Sequence, residues 1–491
     1  MITPDFSTFK KLSRKGNLVI LTETFPADLE TPVSSFLKIS KNARQAFLLE
    51  SAEQGQRVGR YSFLGIDPVA VYQQLRAGTI TVTERGAKRT IRGIHLLDMI
   101  DAQLKGIRIA NPKAFQGFSG GFVGYFSYEN VSDFEKIRLS TKKGTGFPRG
   151  IFFRVQDFLV FDHFRKTLSI VMLVNLSRSQ NLRKAYADAA RRMVRYHALL
   201  HKPLRVPPSR KFRKLPAIKS NMTRPEYEAK VRRIKEYIRA GDCIQVVFSQ
   251  RFSFPHKGHD FQIYRSLRSI NPSPYMFYFR SGTHRLIGSS PEVLVKKTGR
   301  MACVRPIAGT RPRGKDEAQD LAYEKQLRNS PKEMAEHLML VDLGRNDLGR
   351  VSDFKSVRVD HFASIERYSH VMHLVSNVTS RLRNGKTAAD LLRATFPAGT
   401  VSGAPKIRAM QIIDELETES RGPYAGCLGH FGFDGDMNMC ITIRTLMLEG
   451  SRMYVQAGGG IVKDSDPGRE YEETVNKSRA ILKAIEERNL F

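Results

Sequence analysis

Tryptophan is absent from all 491 residues, and composition alone supplies no mechanism for that absence. Cysteine is scarce. Cys243, Cys303, Cys427 and Cys440 are scattered without paired spacing, which argues against both a disulfide framework and a zinc site. No run of eighteen apolar residues occurs, and Met1 to Arg14 lacks the apolar stretch of a secretory signal, so a cytoplasmic protein with no membrane partner is expected. Zinc-finger spacing, basic-region heptads and basic-aromatic RNA-recognition signatures are missing too, which argues against specific nucleic-acid binding. Acidic residues are few: 48 Asp and Glu stand against 80 Lys and Arg, a formal charge of +32 spread along most of the chain.

What is present is a globular chain with 41% hydrophobic residues, long enough for two or three domains. Strand-like runs such as Leu18 to Leu21 and Phe158 to Phe161 alternate with turn signals, and Asn181 to His201 has a helical, arginine-rich pattern. These place an N-terminal domain at 15–200. The segment 201–221 is basic, contains four prolines and no acid, and reads as a linker. A second, larger domain is expected over 222–488. There Thr223 and Pro225 start a helix that runs to Arg239, and Cys243 to Phe252 reads as a strand. Further helices are expected from Ala404-Pro405 to Glu417 and from Pro467 to Glu487, with strands at Met276 to Phe279, Ile441 to Met447 and Met453 to Gln456.

Two Glu-x-x-Glu pairs carry the strongest chemical signal. Glu333/Glu336 follow Ser330-Pro331, and Glu470/Glu473 follow Asp466-Pro467, so a capping side chain and a proline open each helix. Carboxylates three apart share a helix face. If the two faces meet, their oxygens can hold a partly hydrated Mg²⁺. Structural readings stand beside this one: Glu333 can complete a capping box and Glu473 can pair with Lys477. Two small-residue segments, Ala398 to Gly403 before a helix start and Ala457 to Gly460 after a strand, offer backbone N–H groups to an anion. Neither is a nucleotide-binding signature. Gly426 to His430 resembles the nucleophile elbow of glutamine amidotransferases, but Phe431 replaces the expected glutamine and no His-x-Glu dyad follows. Cys427 is therefore read as a packing thiol.

The stretches Arg305 to Thr310, Lys332 to His337, Val341 to Asp347 and Pro397 to Lys406 strongly resemble the chorismate-utilising enzymes. The resemblance is dense from about Arg224 to Lys483 and sparser earlier, at Leu48 to Ser51 and Gly59 to Ser62. It implies an α/β (α+β) fold of two orthogonally packed β-sheets between helical layers. Within the family, a lysine that activates water stands at the position of Gln245 in isochorismate and salicylate synthases. A lysine proposed to capture the ring stands at Ala308 in many aminodeoxychorismate synthases. An amide is no base and a methyl is no nucleophile, so ammonia is left to add directly. The resemblance then implies anthranilate synthesis, feedback-inhibited by tryptophan. The alternatives are aminodeoxychorismate synthesis and, in a different class, a non-catalytic tryptophan- or nucleic-acid-binding module.

By the same resemblance, Glu292 is the general acid for the leaving hydroxide, and His373 serves elimination of pyruvate with Thr400 nearby. Mg²⁺ falls to Glu336 and Glu473, with Glu333 and Glu470 direct or through water. Arg444, Tyr424 and the amides of Gly458, Gly459 and Gly460 hold the enolpyruvyl carboxylate, and Lys477 steadies the metal side. Glu50 and Ser51, with Pro274, Tyr275 and Met276, match the family's tryptophan pocket. One departure is Asn438, where the family often has aspartate. A separate glutaminase subunit, in a hetero-oligomer, is expected to deliver ammonia.

Overall fold

A computed structural model describes residues 1–51, 59–114, 117–177, 181–207, 217–256, 258–368 and 371–486. Two twelve-stranded sheets form its centre, each a path of eleven strands with one more beside it: Gly403–Ala404 against Gln245–Pro255 in the first, and Arg358–Arg367 against Val371–Arg381 in the second. The first runs, neighbour to neighbour, through Leu18–Pro26, Thr167–Asn175, Asp157–Asp162, Tyr61–Ile66, Gln45–Glu50, Tyr275–Ser281, His284–Ser290, Thr445–Glu449, Arg452–Ile461, Gln245–Pro255 and Lys219–Ser220. The second runs through Ile307–Pro312, Val371–Arg381, Met301–Val304, Val293–Thr298, Met437–Ile441, Cys427–Gly432, Gly121–Phe126, Gly150–Val155, Ala70–Arg76, Thr79–Glu84 and Ala87–Arg92. Every pairing between these strands is antiparallel.

Aromatic side chains fill the space between the sheets. Phe153 of the second stacks on Phe279 of the first at 4.4 Å between centroids. The other face of the first sheet is covered by helices whose Phe36, Met193, Tyr264 and Ile481 join its buried residues. This is the expected pair of sheets between helical layers.

The division into 15–200 and 222–488 does not separate two cores. Gln45–Glu50 pairs with Tyr275–Ser281, and Gly121–Phe126 pairs with Cys427–Gly432, so both sheets draw strands from both halves. The reason is a backbone requirement: each half ends in strand edges whose N–H and C=O groups are satisfied only by the other half. Residues 208–216 of the expected linker lie outside the described ones.

Local signals set the helices that matter most here. Ser330 caps Pro331–Gly349, and a Thr223/Glu226 capping box opens Arg224–Arg239. Asp466 accepts the Arg469 N–H at 2.9 Å where Pro467–Glu486 begins. Two strand expectations change. The run Ile441 to Met447 is broken, because the chain leaves the second sheet at Ile441 and enters the first at Thr445. Arg444 turns that corner with φ +49°, a left-handed conformation unusual for a side chain of its size. Ala457 to Gly460 is not a loop after a strand but part of the strand Arg452–Ile461, paired with Gln245–Pro255. No helix among the described residues is long and apolar enough to cross a membrane.

Candidate active site

The two capped helices, Pro331–Gly349 and Pro467–Glu486, bring Glu333, Glu336, Glu470 and Glu473 to the wall of one cavity of about 500 Å³. Glu336 accepts from Gln245 Nε2 at 3.0 Å, and Glu333 pairs with Arg311 at 3.3 Å. Glu473 pairs with Lys477 at 2.6 Å, and that ammonium also donates to the Gly458 carbonyl at 2.9 Å. Glu470 keeps one buried oxygen, Oε2, without a partner among the described residues. A Cβ on Gly459 would stand 2.8 Å from that oxygen and 3.6 Å from Glu473 Oε1, so a bare backbone is what admits the second pair.

Burial pushes the carboxyls of Glu336 and Glu470 up, and each neighbouring carboxylate, Glu333 and Glu473 respectively, adds to the rise. Among the described residues no set of three His, Cys, Asp or Glu side chains is arranged to hold a metal ion. The donor set nonetheless suits a hard divalent cation. It is all oxygen, mutually repelling, and includes the orphaned Glu470 Oε2.

On another wall lies Glu292, two residues past the strand His284–Ser290. Burial raises its carboxyl to about 8, against a hydrogen bond from Thr400 Oγ1 to Oε1 at 2.9 Å. That donation to Oε1 leaves Oε2 to carry the proton at neutral pH. His373 lines the same cavity, and its Nδ1 lies 3.0 Å from both the Gly309 carbonyl and Thr310 Oγ1. A carbonyl only accepts, so Nδ1 bears the hydrogen and Nε2 is the free base. Burial lowers the imidazolium pKa, which keeps the ring neutral. Gln245 and Ala308 also face this space; of the two lysines there, Lys477 is paired as described and Lys332 sits on the exposed first turn of its helix.

Arg444 and Tyr424 complete the lining beside Gly458 and Gly460. Beyond Val455 the neighbouring strand Thr445–Glu449 no longer pairs with Arg452–Ile461, which leaves that edge open. The Gly458 carbonyl meets Lys477 on this edge, and in an antiparallel strand its N–H points the same way. A Cβ on Gly460 would lie 2.4 Å from Gln245 Nε2. Gly460→Ala is therefore expected to displace the Gln245 amide and lower kcat/KM by roughly 10- to 100-fold with little change in Tm, readable by steady-state kinetics and thermal melts.

None of the five residues matched to the tryptophan pocket lines this cavity. Met276 is the register partner of Glu50. Glu50 is buried and holds Arg268 at 3.1 Å and the Tyr264 hydroxyl. Pro274 is buried just before the strand, and Ser51 Oγ is a buried hydroxyl without a partner among the described residues. Tyr275 Oη donates to Asn438 Oδ1 at 3.0 Å, so the amide at that position has a defined partner. Cys427 is fully buried in its strand, where the apolar surroundings push its thiol up.

The model of the chorismate binding enzyme family matches residues 44–483. The chain belongs to that family. Family relatives include "Anthranilate synthase component 1" of Synechocystis sp., 45% identical over 99% of both chains. Another protein of that name, from Acetivibrio thermocellus, is 43% identical over 99% of both. Among solved family structures, anthranilate synthase component I from Streptococcus pneumoniae TIGR4 superposes with TM-score 0.74 at 35% identity, covering 87% of this chain and 95% of that one. A menaquinone-specific isochorismate synthase from Escherichia coli shares the fold, with TM-score 0.73 at 17% identity over 98% and 100%.

Sequence reasoning did not single out Thr310, Lys332 or Gln456, which also line the family member's cavity. Thr310 is placed by its strand register with His373, a pairing across 63 residues that no local pattern announces.

Proposed function

We propose that the chain aminates chorismate and then eliminates pyruvate to give anthranilate, as the large subunit of an anthranilate synthase. One observation carries the reading. A buried carboxylic acid that keeps its proton to about pH 8 shares a cavity with an amide, Gln245, and a methyl, Ala308, where a protein base or nucleophile would otherwise stand. The relatives named for this activity, matched over nearly their whole length, support it.

Glu292 Oε2 delivers its proton to the hydroxyl leaving carbon 4 while ammonia adds at carbon 2, so the leaving group departs as water. His373 Nε2, with its other nitrogen anchored on the Gly309 carbonyl, then takes the carbon 2 proton as the ring carbon–ether oxygen bond breaks, and a proton delivered to the methylene of the leaving enolpyruvate makes it pyruvate. Arg444, Tyr424 and the open edge at Gly458 and Gly460 orient the enolpyruvyl carboxylate, whereas the Gly459 N–H faces the paired strand Gln245–Pro255. Glu336 and Glu473, with Glu333 and Glu470 direct or through water, would hold Mg²⁺, which when bound would polarise the ring carboxylate. Lys477 holds Glu473 in place. A separate glutaminase subunit supplies ammonia in a hetero-oligomer, consistent with relatives named "component 1". Tryptophan occupies the Glu50, Ser51 and Pro274 to Met276 cluster, its ammonium meeting Glu50 in place of Arg268.

The test uses the purified chain with chorismate, Mg²⁺ and ammonium salt, followed by anthranilate fluorescence with and without tryptophan. Metal-dependent fluorescence that tryptophan suppresses is expected. An aminated product that retains its enolpyruvyl group would replace the reading with aminodeoxychorismate synthesis, and no turnover at all would remove it.

A further inference from the structure

Behind the open edge of Gly458 and Gly460 lies a chain of four buried polar side chains that none of the roles above uses. Arg421, 2% exposed, grips Glu417 with Nε to Oε2 at 2.8 Å and Nη2 to Oε1 at 2.6 Å. Its guanidinium also donates to the carbonyls of Val401 and Val247 at 2.7 and 2.8 Å, and sits 4.7 Å over the Tyr128 ring. Glu417 Oε1 in turn accepts the backbone N–H of Ser249 at 3.0 Å and its hydroxyl at 2.7 Å. Ser249 Oγ then accepts from Gln456 Nε2 at 2.9 Å.

The order of donors in this chain is forced. A guanidinium only donates, so Glu417 is held as an acceptor. A serine hydroxyl has one hydrogen, and it is committed to Glu417, so Ser249 Oγ can only accept from Gln456. A flipped Gln456 amide would set its oxygen against that oxygen with no hydrogen between them. Gln456 must therefore turn Nε2 toward Ser249 and keep Oε1 away from it. Gln456 is 6% exposed and lines the active-site cavity, and Oε1 is buried with no partner among the described residues. A buried amide oxygen left unpaired is costly, and a residue pinned this firmly has no rotamer with which to relieve it.

Strand geometry locates this acceptor. Gln456, Gly458 and Gly460 alternate on one face of Arg452–Ile461, opposite Arg251, Ser249 and Val247. Gln245 lies two residues before Val247 on the same face, and its own Oε1 is also unpartnered because Nε2 is tied to Glu336. Two glycines without side chains are thus flanked by two amide groups of known orientation. Gln245 lies at the Glu336 end and Gln456 at the Ser249 end.

We infer that Gln456 is a reactant-binding residue whose Oε1 accepts a hydrogen bond from an N–H or O–H donor of a bound reactant, with Ser249, Glu417 and Arg421 as positioning residues that hold its amide in that sense. The inference rests on the proposed amination of chorismate, where such donors are ammonia and the ring hydroxyl. Carboxylates are excluded from this position because an amide oxygen repels them. Removing Ser249's hydroxyl releases the amide to rotate without touching the cavity itself, so the two residues give the same kind of defect in graded amounts.

The experiment compares wild type, Gln456→Met and Ser249→Ala for KM of ammonium, Kd of chorismate and Tm. Methionine keeps the volume and removes the acceptor. Gln456→Met is expected to raise one of the two constants by about 10- to 100-fold at nearly unchanged Tm, and Ser249→Ala to raise the same one by about 3- to 10-fold. A change confined to ammonium assigns the donor as ammonia, and one confined to chorismate assigns the ring hydroxyl. If wild type turns over and both variants keep both constants, Oε1 binds only water or nothing and the inference is overturned. If either variant loses Tm while its constants stay, the chain is structural and the inference is equally overturned. Failure of wild type to consume chorismate would strike the proposed function instead.

Discussion

Glu292→Gln is expected to slow chorismate consumption by about 10²- to 10⁴-fold, the contribution of a well-placed general acid. Glutamine keeps the shape and can still take the Thr400 hydrogen bond, so substrate binding should change little and the loss should fall on kcat. The pH profile gives an independent check. Burial lifts the Glu292 carboxyl from its ordinary 4.5 to about 8, so the wild-type rate should fall as pH rises through about 8, and the glutamine variant should lack that limb. Stability shifts the same way. Between 4.5 and about 8 the folded form keeps a proton that the unfolded chain has lost, so this group makes stability decline as pH rises across that window. Thermal melts from pH 5 to pH 8 should show a shallower decline in the variant. Identical slopes and an unchanged rate would remove Glu292 from the acid role.

His373→Met is expected to separate the two halves of the reaction. The ring nitrogen that takes the proton in elimination disappears, while Glu292, Gln245 and the carboxylate pairs stay where they are. Chorismate should still be consumed, an aminated ring that retains its enolpyruvyl group should accumulate, and anthranilate formation should fall by about 10²- to 10⁴-fold. Chromatography of quenched reactions would resolve the intermediate. Because burial keeps His373 neutral, wild-type elimination should not be limited by imidazole protonation near pH 7. Anthranilate appearing at the wild-type rate, with nothing accumulating, would exclude this histidine.

Local signals were legible in the sequence. Ser330-Pro331, Thr223-Pro225 and Asp466-Pro467 start helices because a cap and a fixed φ act within four residues. The carboxylate pairs followed from those helix starts, and the two-sheet architecture came through family resemblance. What stayed hidden depended on distant partners. Gly458 to Gly460 looks like a turn, yet it is strand because Val247 to Ser249, some two hundred residues earlier, pair with it. The run around Arg444 has the apolar neighbours of a strand and bends only because its two ends belong to different sheets. Glu417 and Arg421 lie at and beyond the end of the helix Lys406–Leu416, where no local pattern announces a pair; only the packed fold shows them joined and buried against Ser249.

The interleaving of the two halves in both sheets bears on how the chain can be cut. Produced as two polypeptides, 1–207 and 217–491, neither would close its own core: each would present unpaired edges at Gln45–Glu50 and Gly121–Phe126, or at Tyr275–Ser281 and Cys427–Gly432. Separately they should aggregate, whereas co-expressed they should assemble as a split protein and melt in one transition.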